Sequence, residues 1–176
     1  MPDKHHRRSI RLGGYDYAQP GAYFVTVCTH DHACLFGHVV NSEMHLNEAG
    51  EIAQRCWEDI PRHFPFAELD AFVTMPNHIH GIIVVPGRGT ACRAPTIEQF
   101  AKPSVGSIPT IVRSYKSSVT RYVNLARRAP GVPGWQRNYY EHVVRNEAEL
   151  MTNREYIMAN PLRWDDDDNN PHHPAS

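Results

Sequence analysis

The 176-residue chain contains no apolar run long enough to span a bilayer, which excludes a transmembrane helix. It contains no Cys-x-x-Cys pair. Its four cysteines, Cys28, Cys34, Cys56 and Cys92, stand singly, which excludes a zinc ribbon or a dithiol redox motif. Cys28 and Cys56 lie on apolar segments and read as buried thiols. The first eight residues, MPDKHHRR, lack the apolar core of a signal peptide, so a cytoplasmic location is expected. No internal repeat is present. Net charge is also nearly absent: Lys+Arg 18 against Asp+Glu 19 leaves −1. What is present is a globular composition, 41% hydrophobic and 10% aromatic, at a length that suits one domain.

The small net charge conceals a local imbalance. Four acids, Asp165 to Asp168, lie together; setting them aside changes −1 to +3. Between positions 103 and 145 stand seven basic residues, Arg113, Lys116, Arg121, Arg127, Arg128, Arg137 and Arg145, against the single acid Glu141. Such a stretch is either a solvated basic face or a surface for a polyanion.

Residues 1–19 read as a basic, glycine-containing arm. AYFVTVCT at 22–29 has the β-branched and aromatic content of a strand, and a short strand follows near 37–40. Residues 46–60 carry Ile52, Ala53, Cys56, Trp57 and Ile60 at helical spacing before Pro61. Strands are expected at 66–75 and 79–85, then a Pro/Gly/Ser-rich loop at 86–107. Residues 108–128 form the clearest amphipathic helix. Tyr115 and Tyr122 fall on its apolar face; Arg113, Lys116, Arg121, Arg127 and Arg128 fall on the other. A strand at 139–144 precedes a helix at 147–160, with Asn146 and Glu149 spaced as a capping box and Pro161 as the stop. From Asp165 onward the chain reads as a disordered acidic tail. This order of elements predicts an α+β domain with a central, largely antiparallel sheet flanked by helices.

Two constellations carry chemistry. His78-Ile79-His80 sits in an apolar strand, where alternate side chains share a face, so both imidazoles point the same way and can grip one divalent ion. The pattern alone is weak, because twelve histidines in this length give roughly 0.8 His-x-His by chance. A second, His30-Asp31-His32, enters a polar loop and reads as surface. The alternative for His78 and His80 is a pair of hydrogen-bonded structural histidines. Tyr156 and Asn160, four apart, share a face of the last helix with Glu149, Thr152 and Asn153 nearby. Alone, Tyr156 reads first as a packing tyrosine with a wet hydroxyl.

Taken together, MPNHIHGIIVV, RRSIRLGGYDYAQPGAYFVTVCT, WQRNYYEHVVRN and REYIMANPLRW resemble the single-tyrosine transposases of the HUH endonuclease class, and among them the REP-associated tyrosine transposases. The resemblance covers most of the chain in matching order. It implies the HUH-endonuclease (ferredoxin-like, RRM-like) architecture for residues 20–164. His78 and His80 match paired metal ligands, Asn160 the polar residue that completes the site, and Tyr156 the nucleophile. It implies Mg²⁺ or Mn²⁺ as cofactor and single-stranded or hairpin DNA, with repetitive extragenic palindromes as the sequence class. The reaction implied is strand cleavage and joining through a 5′-phosphotyrosine, in a nucleoid-associated protein, monomeric or dimeric. Phosphate contacts are expected from Arg113, Lys116, Arg121, Arg127, Arg128 and the arm's Arg7, Arg8 and Arg11. Two rivals stand beside it: a metal-dependent nuclease that uses water, and a hairpin-binding protein without catalysis. A histidine-triad hydrolase is disfavoured by Ile82, where a third alternating histidine would fall.

Overall fold

Consecutive burial of Tyr23, Phe24 and Val25 makes β1 (Gly21–Cys28) a central strand covered on both faces, with one side chain in two facing each layer. The computed structural model describes residues 19–86 and 106–171. Beside β1 lie β5 (His78–Val85) on one side and β6 (Tyr140–Val144) on the other, and β4 (Glu68–Thr74) forms the far edge. All neighbours are antiparallel. A separate hairpin pairs β2 (Gly37–Val40) with β3 (Glu43–Leu46). Its turn residues Asn41 and Ser42 both have positive φ, 51° and 65°, as a two-residue primed turn demands. The α+β expectation is met.

The two faces of the sheet differ. Tyr23, Val25, Val27, Ile79 and Ile83 pack against α1 (Glu48–Glu58) and α3 (Ile108–Ala126), forming the larger core with Trp57, Tyr115 and Val119. The opposite face carries a small cluster, Phe24, Ile82 and Ile157, the last from α4 (Glu147–Ala159). Trp57 fixes the middle of β5 from the large-core side. A Cβ at Gly81 would lie 2.3 Å from its Cζ2, so only glycine lets the indole reach the backbone there. The indole stacks on Phe72 at 4.5 Å. β5 is thus gripped from behind where His78 and His80 face forward.

Local signals explain most boundaries. Asn47 Oδ1 accepts from Gly50 N at 3.0 Å and starts α1, two residues later than position 46. The residues around Pro61 form a separate short helix, α2 (Ile60–His63). Asn146 caps α4 by accepting from Glu149 N at 2.9 Å. The Glu149 carboxylate accepts from Arg145 N at 2.7 Å and meets His142 Nε2 at 2.6 Å. α4 is also tied to β4: Arg154 donates through Nε and Nη2 to the two Asp70 oxygens, at 2.9 and 2.6 Å. That fork holds the Asp70 carboxyl below its usual value, the Arg154 hydrogen bond being the main cause.

Three expectations are corrected. β3 is an additional strand. Tyr122 is not core: it is about half exposed with Leu125 near the end of α3, whereas Tyr115 is buried. Residues 165–171 are not a disordered tail. Pro161–Asp166 forms a 3-10 helix with Trp164 buried, and Asn170 Nδ2 donates to Trp164 O at 3.0 Å. The arm at 1–18, Cys92 and most of the 86–107 loop lie outside the described residues.

Candidate active site

Strand alternation on β5 sends His78 and His80 to the α4 side of the sheet, their rings 4.6 Å apart. Each ring is oriented through Nδ1. His78 Nδ1 lies 2.9 Å from Asn77 Oδ1. The Asn77 amide is oriented in turn, because its Nδ2 donates to the carbonyls of His32 and Asn169, at 3.0 and 2.6 Å. Asn77 Oδ1 can only accept, so His78 carries its proton on Nδ1 and a lone pair on Nε2. His80 Nδ1 meets Thr26 Oγ1 at 2.7 Å, a cross-strand neighbour. Both Nε2 atoms therefore face the same space.

That space collects side chains able to ligate a metal or act on a phosphate. Tyr156 Oη lies 3.5 Å from His80 Nε2. Asp167 Oδ2 lies 3.7 Å from His78 Nε2, and the carboxylate is nearly buried. One ligand atom each from His78, His80 and Asp167 fall within 4.8 Å of one another. His78 Nε2 and Asn160 Oδ1 are both buried with no hydrogen-bond partner. Two orphaned lone pairs beside a carboxylate fit a divalent cation, whose binding would repay their desolvation. Burial lowers the His78 pKa to about 4, against the upward pull of Asp167 and Asn160. Burial, then the nearby His78, holds His80 well below its ordinary value. Both rings are neutral at pH 7, the form a metal requires. Burial, followed by the Asp167 charge, raises the Tyr156 hydroxyl, although Asn160 opposes this.

The sequence-predicted residues divide into four groups. His78, His80, Asn160 and Tyr156 converge. Arg113, Arg121, Arg127 and Arg128 are exposed but belong to α3 and its end, on the opposite layer of the sheet. Arg7, Arg8 and Arg11 lie outside the described residues. Lys116 departs from its expected role. The chain after Trp135 folds over it, and its Nζ donates to the carbonyls of Gln136, at 2.5 Å, and Arg137. It is a structural lysine rather than a free phosphate ligand. Glu149, the acid on the face of Tyr156, is held by His142 and Arg145 N, which removes it as a base.

Three site residues were missed. Asn77 and Thr26 orient the histidines; Asp167 was assigned to a solvated acidic run. The adjacency of that run to ANPLRW was its only signal.

Lys116 yields a pH test. Burial lowers its pKa to about 8. The unfolded chain then holds a proton that the folded chain lacks from about pH 8 to the ordinary lysine value near 10.4. Wild type should gain stability relative to Lys116→Met as pH rises through that window. Denaturant melts of both proteins at pH 7.5 and pH 9.5 check this; an unchanged difference would refute it.

No protein-family model matches the chain. It is 43% identical over 168 residues to an uncharacterized protein of Haemophilus influenzae, covering 93% of this chain and 92% of that one. It is 24% identical over 151 residues to a second protein of the same organism, described as a putative REP-associated tyrosine transposase. That match covers 84% of this chain and 74% of that one. Among solved structures, a REP-associated tyrosine transposase bound to a REP hairpin superposes with TM-score 0.56 at 20% identity, covering 92% of this chain and 74% of the other. Among the described residues no helix is long and apolar enough to cross a membrane. The histidine pair on a central strand and the tyrosine helix beside it stand in a fold that this chain shares with the REP-associated tyrosine transposase of that solved structure.

Proposed function

We propose that this protein cleaves and rejoins DNA strands at hairpin-forming, REP-like sequences, with Tyr156 as nucleophile. The observation that carries the reading is the approach of Tyr156 Oη to His80 Nε2 at 3.5 Å, beside the cluster of ligand atoms from His78, His80 and Asp167. A nucleophile there would meet a phosphate held at the same point. His78, His80 and Asp167 would hold Mg²⁺ or Mn²⁺, with Asn160 Oδ1 as a further oxygen donor. Bound there, the ion supplies electrophilic stabilisation of charge on the phosphate. The Asp167 carboxylate favours a hard cation over the softer metals that two imidazoles alone would accept.

The chain's own residues do the rest. Asn77 and Thr26 keep both Nε2 lone pairs aimed inward. α4 presents Tyr156 from one side, held to β4 by the Arg154–Asp70 fork. The phenolic oxygen attacks phosphorus, the bond to the 3′ oxygen breaks, and the phenolic proton leaves to solvent while the 3′ oxygen gains one. The products are a 5′-phosphotyrosine and a 3′-hydroxyl. Another 3′-hydroxyl can reverse the step and join strands without a nucleotide cofactor. Within one chain Tyr156 Oη reaches 3.5 Å from His80 Nε2, so a single protomer would suffice to build the site. The exposed arginines of α3 lie on the other layer. They would serve hairpin phosphates away from the reacting one, together with Arg7, Arg8 and Arg11.

The test is a denaturing gel of full-length protein with 5′- or 3′-labelled hairpin oligonucleotides and Mn²⁺ or Mg²⁺. A slow-migrating adduct that carries only the strand 3′ of the cut, and that disappears with chelator, is expected. Cleavage without an adduct would replace this reading with a water-using nuclease. Tight binding without cleavage in either ion would replace it with a hairpin-binding protein.

A further inference from the structure

The α4 side of the sheet is only partly covered. Ile157 of α4 seals Phe24 and Ile82. Across the sheet from His80 runs a row set by strand register: Val73, His80, Thr26 and Tyr140 are consecutive cross-strand partners. The row ends on the edge strand β6 at Tyr140, whose side chain is 44% exposed. Its ring lies on the site face, 6.4 Å from Phe24 in an edge-on contact. Phe24 in turn stacks on His80 at 5.5 Å and meets Tyr156 at 6.0 Å. An aromatic surface therefore leads from the reacting tyrosine to the sheet edge in two ring-to-ring steps. A large aromatic left open at the outer end is not explained by packing.

We infer that Tyr140 is a stacking platform for a nucleobase flanking the phosphate that Tyr156 attacks. This inference rests on the DNA-cleaving reading and adds a base-binding position to it. The occupant is the base of an unpaired nucleotide, for three reasons. The face of a phenol ring attracts any base, whatever its sequence. The strand that enters the pocket must splay its bases away from the bound phosphate, and the sheet edge is the open direction. The approach carries positive charge: Arg137 is exposed three residues before Tyr140, and Arg145 is exposed just beyond the far end of β6. Phe24 supports the platform from behind and is itself buried, so it is a scaffold and not a second contact.

The experiment measures binding of a hairpin with single-stranded flanks to full-length Tyr156→Phe protein, which leaves the DNA intact. 2-Aminopurine is placed at one flanking position at a time. One position should show quenching that Tyr140→Ala removes and Tyr140→Phe retains. At that position Tyr140→Ala should weaken binding on the order of tenfold or more. With an abasic nucleotide there, the same substitution should cost little further, as a protein–DNA double-mutant cycle requires. Equal losses with and without the base would make Tyr140 a structural residue and overturn the inference. So would binding with no Tyr140-dependent quench anywhere, and neither result would touch the cleavage reading. No binding of any hairpin or single strand by the protein would overturn both.

Discussion

Tyr156→Phe is expected to abolish strand cleavage and the covalent adduct together, by on the order of 10³-fold or more in single-turnover rate. The substitution removes one oxygen and retains the ring. Packing against Phe24 at 6.0 Å and His80 at 5.1 Å is preserved. The lost hydroxyl makes only the long 3.5 Å approach to His80 and an interaction with Asn160. Stability should therefore change by less than about 1 kcal/mol, with little change in a thermal melt. This separation of chemistry from folding gives the test its force. A variant that melts like wild type and binds DNA, yet makes neither product nor adduct, identifies the nucleophile. Residual cleavage within tenfold of wild type would require water to attack, and Tyr156 would become a packing residue.

The second large effect concerns the cation. His80→Ala should lower Mn²⁺ affinity on the order of 100-fold or more, measured by calorimetric titration of the protein without DNA. His78→Ala should do the same and additionally destabilise the fold, because it strands the Asn77 Oδ1 acceptor in a buried site. Milder substitutions test the arrangement without that ambiguity. Asp167→Asn removes the charge and keeps the volume; Thr26→Val removes the His80 partner and nearly keeps the volume. Each should cost about 10- to 100-fold in affinity with the fold intact. Wild-type affinity in Asp167→Asn would return the third position to Asn160 alone, as the resemblance implies. Wild-type affinity in His80→Ala would remove the metal site altogether.

Much of the fold and part of the site could be read from the chain, and the division has physical causes. Strand alternation placed His78 and His80 on one face, and Asn146 and Pro161 bounded the tyrosine helix, because these depend on neighbours in sequence. Asp167 could not be read this way. Four consecutive acids have no periodicity, and the segment's contact with the site runs through a distant partner, Asn77 on Asn169, which no local pattern announces. Lys116 lay correctly on the polar side of its helix, but helical position says nothing of the Gln136 and Arg137 carbonyls that cover it. Tyr122 has an apolar phase, yet it lies near the end of α3, where Leu125 is also exposed. The β2–β3 turn carried a readable sign in Asn41, whose left-handed backbone the asparagine tolerates.

Asn77 joins parts of the chain made at different times. It holds His78, and it is held by Asn169, ninety-two positions later. Tyr156, Asn160 and Asp167 likewise all follow the last strand of the sheet. During synthesis the sheet strands and their histidine pair therefore emerge before Tyr156 and before the residues that steady His78. Contacts of such sequence separation also close slowly. A ribosome-bound chain carries the grip without the blade, and the proposed capacity to break DNA would arise only with the final docking step of folding.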